Sequence, residues 1–143
     1  MRPARPKRTR LRARVKQAAK LPRLGDEQCT ELEDAIGYKF KDRSLLDRAM
    51  THSSAVQEHG ARFSYERLEF LGESMIDIAI SQEIYTLFPD KQEGELTNFR
   101  SALVRGETLA QVAKTLSLGE YLILGSGEEA SGGRERRTNL AAV

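Results

Sequence analysis

The stretch Glu66-Arg67-Leu68-Glu69-Phe70-Leu71-Gly72-Glu73-Ser74 opens the segment that most limits what this chain can fold into. From about Tyr65 to Phe88 the sequence has helical periodicity. Leu68, Leu71, Met75 and Ile78 recur three or four residues apart and form one apolar stripe. Glu66, Glu69, Glu73 and Asp77 recur at the same spacing and form an acidic stripe beside it. Like charges at that spacing repel by about 0.2–0.5 kcal/mol per pair. A solvated helix face accounts for such a stripe, and so does a divalent cation, because hard cations take carboxylate oxygens.

The rest of the chain supports helices around this segment. Asp26 to Ile36 is predicted as a short helix with Leu32, Ala35 and Ile36 on its apolar face, ended by Gly37. Asp42 or Ser44 is positioned to cap a second helix containing Leu45, Leu46, Ala49 and Met50. Thr51 to Ser64 is polar and reads as a loop broken at Gly60. Pro89 stops the long helix. Glu95 to Val104 and Glu107 to Leu116 continue as helices around Gly106, with Leu96, Phe99, Leu103 and Val104, then Leu109, Val112 and Ala113, as candidate core. Tyr121, Ile123 and Leu124 fit a helical turn and an extended segment equally well. Gly125 to Arg137 reads as a Gly- and charge-rich loop, and Thr138-Asn139 as the cap of a last helix that starts at Leu140 and is incomplete at Val143. No internal repeat and no series of strands is visible. The expected class is all-α.

The net charge of +2 conceals a division. Residues 1–24 carry ten Lys or Arg and no acid, leaving 13 basic against 21 acidic residues and a net charge of −8 on residues 25–143. The sequence therefore divides into a basic arm, 1–24, expected to be disordered, and one domain, 25–143. Such an arm suits a polyanionic partner, with Arg8, Arg10, Arg12 and Arg14 as candidate phosphate contacts, or a contact with its own acidic domain. An Arg-rich start also resembles an organellar transit peptide, but serine is absent from it and apolar residues are sparse. The single Cys29 forms no intrachain disulfide, and no Cys/His cluster suits zinc. No apolar run approaches the roughly 18 residues that span a bilayer. A reduced, cytoplasmic protein without a membrane anchor is expected.

The string Glu66 to Ser74 closely resembles the ribonuclease III signature E-R-L-E-F-L-G-D-S, with eight of nine positions matched. Ala49-Met50-Thr51-His52-Ser53-Ser54 is similar to that family's A-L-T-H-x-S segment. Glu93-Gly94-Glu95-Leu96 with Leu103-Val104-Arg105, and Leu118 to Glu128, match further family segments in order, and Ser131-Gly132-Gly133-Arg134 fits the loop after them. The resemblance covers about Leu32 to Val143. It implies an all-helical endonuclease domain that forms a homodimer and cuts double-stranded RNA, such as ribosomal precursors, with Mg²⁺ and with Mn²⁺ as a second candidate. It implies no small-molecule cofactor.

The resemblance also implies four acids per subunit. Glu69 matches the first, a metal ligand. Glu73, a catalytic and metal-binding position, stands where the family has aspartate. Leu140-Ala141-Ala142 matches L-A-D, so Ala142 replaces the third acid, and the fourth would fall two residues beyond Val143. Replacing Asp by Glu moves a carboxylate by about one C–C bond, roughly 1.5 Å, and alanine supplies no oxygen. The alternative is therefore a catalytically impaired member that binds RNA or a ribonucleoprotein as a scaffold. Phe70 is implied to plug into the partner subunit. Of the remaining residues, His52 is expected to act as a cap, Arg105 to make an internal ion pair and Gly72 to permit close helix packing, while Glu66 suits steering of metal or RNA and pairing with Arg67, Arg62 or Arg100 equally well.

Overall fold

The computed structural model describes residues 23–60 and 63–143; residues 1–22 of the basic arm, with its four candidate arginines, lie outside the described residues, as does Arg62. The described residues form eight α-helices: α1 Asp26–Ile36, α2 Arg43–Ala49, α3 Ser53–His59, α4 Glu66–Leu87, α5 Glu93–Val104, α6 Gly106–Thr115, α7 Ser126–Ala130 and α8 Arg137–Ala142. Two 3₁₀ turns, Leu118–Tyr121 and Gly133–Glu135, complete them. The only β-type pairing among the described residues is an isolated parallel bridge between Thr51 and Ile123. The all-α expectation holds.

Local chemistry accounts for the helix ends. α1 stops at Gly37, whose φ of 69° lies in the left-handed region that glycine enters without steric cost. The Asp42 carboxylate accepts the Ser44 N–H at 3.0 Å and caps α2. His52 caps α3 through Nδ1, which accepts the Ser54 N–H at 3.1 Å. The segment expected to be a loop from Thr51 to Ser64 thus contains a helix, terminated at Gly60 with φ 65°. α5 starts two residues before the expected Glu95, because the Glu95 carboxylate turns back to accept the Gln92 N–H at 3.2 Å.

The core is small and aliphatic, in two parts. The first joins Cys29 and Leu32 of α1, Leu46 and Met50 at α2, Tyr65 before α4, and Leu122; Leu24, Ala142 and Val143 pack against it. The second joins Ala110 and Ala113 of α6 to Leu140 of α8. Several expected core positions lie outward: Ala35, Ile36, Leu45, Leu103 and Val112 are exposed. The face that α1 buries is Cys29, Leu32 and Glu33, rotated from the predicted one.

The largest departure concerns α4. Leu71, Met75 and Ile78 of the predicted apolar stripe are 58%, 58% and 62% exposed, and Ile84 is the only buried residue of the helix. With 22 residues α4 is roughly 33 Å long at 1.5 Å per residue. It packs chiefly on α5, where Phe88 and Phe99 sit 5.2 Å apart between ring centroids. The stripe is a genuine apolar face, but none of the described residues covers it. Gly72 likewise has open space where a Cβ would stand, so it mediates no close packing among the described residues.

Candidate active site

The first turns of α4 and the end of α8 approach each other and leave a cleft of about 180 Å³. Glu69 and Glu73 line it from α4, together with Gly72 and Ile76; Ala141, Ala142 and Val143 line it from α8; Met50 and Tyr65 come from the first core. Glu69 and Glu73 are four residues apart on one helix, so they occupy one face. Glu69 is half-buried and Glu73 is exposed. Neither carboxylate has an ion pair or a hydrogen bond among the described residues. Burial, with Glu73 and then Glu66 as like charges, raises the proton affinity of the Glu69 carboxyl above its ordinary value.

The walls of this cleft are fixed by polar contacts outside it. Ile123 N–H donates to the Met50 carbonyl at 2.8 Å, His52 N–H to the Ile123 carbonyl at 3.0 Å, and Tyr65 N–H to the Thr51 carbonyl at 2.8 Å. These bonds tie the turn before α3 to the start of α4. Asn139, expected as a helix cap, lies inside α8 and is buried. Its Nδ2 donates to Glu128 Oε1 at 2.8 Å and to the Gly133 carbonyl at 3.0 Å. Arg136 donates to the same Glu128 oxygen at 2.6 Å. The Asn139 bond, with the Arg136 and His52 charges, holds the Glu128 carboxyl below the usual carboxylate range. α8 is therefore oriented by a carboxylate on α7, in a region predicted to be loop.

The predicted site residues divide between cleft and surface. Glu69, Glu73 and Ala142 come together in the cleft. Phe70 points away, 76% exposed on the uncovered face of α4. His52 is a cap as expected; its Nδ1 is also 2.8 Å from Ser54 Oγ and its ring packs edge-on to Tyr65 at 5.7 Å. Arg105 makes an exposed ion pair with Glu107 at 3.8 Å. Glu66 accepts from Ser64 Oγ at 2.9 Å, while Arg100 donates to Ser81 Oγ at 3.3 Å. Tyr65 is the cleft residue that sequence reading passed over; its place directly before the signature helix was the available signal.

A family model described as Ribonuclease-III-like matches residues 42–143. The chain belongs to the ribonuclease-III-like family. It is 49% identical over 116 residues to Ribonuclease 3 of Dehalococcoides mccartyi, covering 80% of this chain and 49% of that protein. It is 47% identical over 119 residues to Ribonuclease 3 of Desulforamulus reducens, covering 81% and 48% respectively. The chain spans about half the length of these curated relatives. Among solved structures, the nuclease domain of ribonuclease III from Campylobacter jejuni superposes with a TM-score of 0.72 at 35% identity, covering 78% of this chain and 76% of that one. The family agrees with the all-helical architecture and with the residues that carry the signature.

The donor set would give a magnesium ion two carboxylates and leave its other positions to water or substrate phosphate. Mg²⁺ requires near-octahedral oxygens at about 2.0–2.1 Å. The cleft supplies the carboxylates Glu69 and Glu73, and Ala142 lines it without an oxygen donor in its side chain. Among the described residues no three His, Cys, Asp or Glu side chains are grouped as metal ligands.

Proposed function

We propose that this chain is the nuclease domain of a ribonuclease III-type endoribonuclease directed at double-stranded RNA, including ribosomal precursors and other structured transcripts. The observation that carries this reading is the cleft where Glu69 and Glu73 of the signature helix face α8, in a chain of this family. Glu73 is assigned the catalytic position, and Glu69 with Glu73 the metal position, for Mg²⁺ or Mn²⁺. Because Ala142 supplies no oxygen where the family has aspartate, cleavage is slow relative to a relative with aspartate there. Ala142 specifically favours the second reading, a member that holds duplex RNA as a scaffold with little turnover.

The uncovered apolar face of α4, with Phe70 at its start, supports a homodimer. The Campylobacter jejuni nuclease domain is described as flexible in a region involved in dimer formation. Arg8, Arg10, Arg12 and Arg14 supply sequence-independent phosphate contacts, because Lys and Arg bound to duplex phosphate release counterions. A reduced, cytoplasmic setting agrees with the free, buried Cys29. Among the described residues, no helix is long and apolar enough to cross a membrane.

The test is titration of a long RNA duplex, followed by incubation with Mg²⁺. Binding that weakens with salt, followed by slow Mg²⁺-dependent cutting, is expected. Binding that is insensitive to salt, or absent, overturns the reading.

A further inference from the structure

Among the described residues Glu107 is the one carboxylate that pairs with two arginines. Arg137 Nη1, from the start of α8, is 3.5 Å from its Oε1, and Arg105 Nε, from the junction of α5 and α6, is 3.8 Å from its Oε2. The side chains of Arg137, Arg105 and Glu107 are 65%, 63% and 62% exposed. Both contacts are longer than the roughly 2.7–2.9 Å of a charge-assisted hydrogen bond. The Arg137 guanidinium makes no hydrogen bond among the described residues, and that of Arg105 makes one, to Thr108 Oγ1 at 3.4 Å. An arginine carries five N–H donors, so most donors of this pair are open.

The other ion pairs lack this excess. Lys39, Lys91, Arg134 and Arg136 each hold a carboxylate of their own at 2.7, 2.8, 2.6 and 2.6 Å. Arg43 lies against two, Asp26 and Glu33. At Glu107 two guanidiniums face one carboxylate, which leaves one positive charge uncompensated. The trio also adjoins the cleft. Gly106, between Arg105 and Glu107, lies against α8, where a Cβ would stand 3.7 Å from Ala141 Cβ. Leu109 of α6 and Ala141 and Ala142 of α8 line the cleft. Arg137 precedes Ala142 on α8 by roughly 7.5 Å at 1.5 Å per residue.

One excess positive charge with open planar donors is complementary to an anion of one negative charge and several acceptor oxygens. A backbone phosphodiester has both, and the guanidinium fork matches phosphate oxygens. A strand that crosses the cleft carries a phosphate at every nucleotide, so it can present one here. We propose that Arg105 and Arg137, gathered by Glu107, clamp one backbone phosphate of the RNA strand that enters the cleft. Both are positioning residues, since a phosphate contact fixes register and carries no sequence information. The assignment rests on the reading that the chain binds duplex RNA.

The test is binding of a long RNA duplex in EDTA across a series of salt concentrations. The full chain is compared with Arg105→Gln, Arg137→Gln, Glu107→Gln and Lys39→Gln, the last of which removes one charge from the exposed pair with Asp34. Exposed ion pairs contribute little to stability, and equal melting temperatures verify the fold. Each arginine variant is expected to bind roughly 3- to 10-fold more weakly, with a salt slope lower by about one. Glu107→Gln keeps the shape of the side chain but removes the opposing charge, so it should bind more tightly. Lys39→Gln should leave the affinity unchanged. Unchanged affinity in either arginine variant, an equal loss in Lys39→Gln, or weaker binding by Glu107→Gln overturns the clamp. Failure of the full chain to bind the duplex is a distinct result that overturns the underlying RNA reading and the assignment with it.

Discussion

Glu33 illustrates how one side chain can depart from its sequence pattern for a physical reason. It is 1% exposed at a core position of α1. Oε2 accepts from Arg43 Nη2 at 2.8 Å and Oε1 from the Phe40 N–H at 2.9 Å. The Arg43 bond, followed by the Phe40 bond, holds its carboxyl below the usual carboxylate range. A depressed native pKa contributes stability that is present above the unfolded value of about 4.3 and is lost as pH falls through the native one. Arg43→Met strands the carboxylate, so the melting temperature should fall by several degrees at pH 7 and the deficit should shrink towards pH 3. Melts at several pH values check this, and an equal deficit at every pH would contradict it. The apolar pattern of Leu32, Ala35 and Ile36 did not include Glu33, because its partner Arg43 lies ten residues away, beyond the turn at Gly37. By contrast, the end of α1 and the start of α2 were legible, because Gly37 and the Asp42 cap act locally.

At the scale of elements, the segment from Gly125 to Arg137 reads as loop because it is rich in glycine and charge. It is ordered by side chains bonding to backbone instead. Arg134 Nη1 donates to the carbonyls of Gly119, Glu120 and Leu122 at 3.0, 3.0 and 2.8 Å. Gly119 is needed there, since a Cβ would stand 2.5 Å from the Arg134 carbonyl oxygen. Such contacts depend on tertiary placement and leave no periodic trace. Asn139 joins this lock to α8, so Asn139→Ala leaves Glu128 and the Gly133 carbonyl each short of a donor. The cost should be about 1–3 kcal/mol, read from the urea midpoint at unchanged slope. A loss below about 0.5 kcal/mol, the range of ordinary surface changes, would show that α8 is held by Leu140 alone.

For the whole molecule, the decisive feature is the apolar face of α4. Its periodicity was legible, but its destination was not, because periodicity identifies an apolar stripe without saying which chain covers it. If a second copy covers it, the Phe70 contact occurs twice in the dimer by symmetry. Truncating such an anchor costs roughly 2–4 kcal/mol at a hot spot. Phe70→Ala should therefore shift the protein to monomer at micromolar concentration, as read by sedimentation, and an unchanged species would contradict this. The candidate site was legible as far as Glu69, Glu73 and Ala142, since the signature and the L-A segment place them. The meeting of Arg137 with Glu107 was not, because the two lie far apart in the sequence and come together only in the folded chain. The central claim is a nuclease-type cleft that binds duplex RNA and cuts it slowly because Ala142 supplies no carboxylate. Its most direct test is the rate of Mg²⁺-dependent cleavage of a long RNA duplex by this chain, by Ala142→Asp, and by Ala142→Asp combined with Glu73→Asp. The account predicts a slow rate that rises at each step and is abolished in every background by Glu69→Ala. Rapid Mg²⁺-dependent cleavage by the unaltered chain would contradict it.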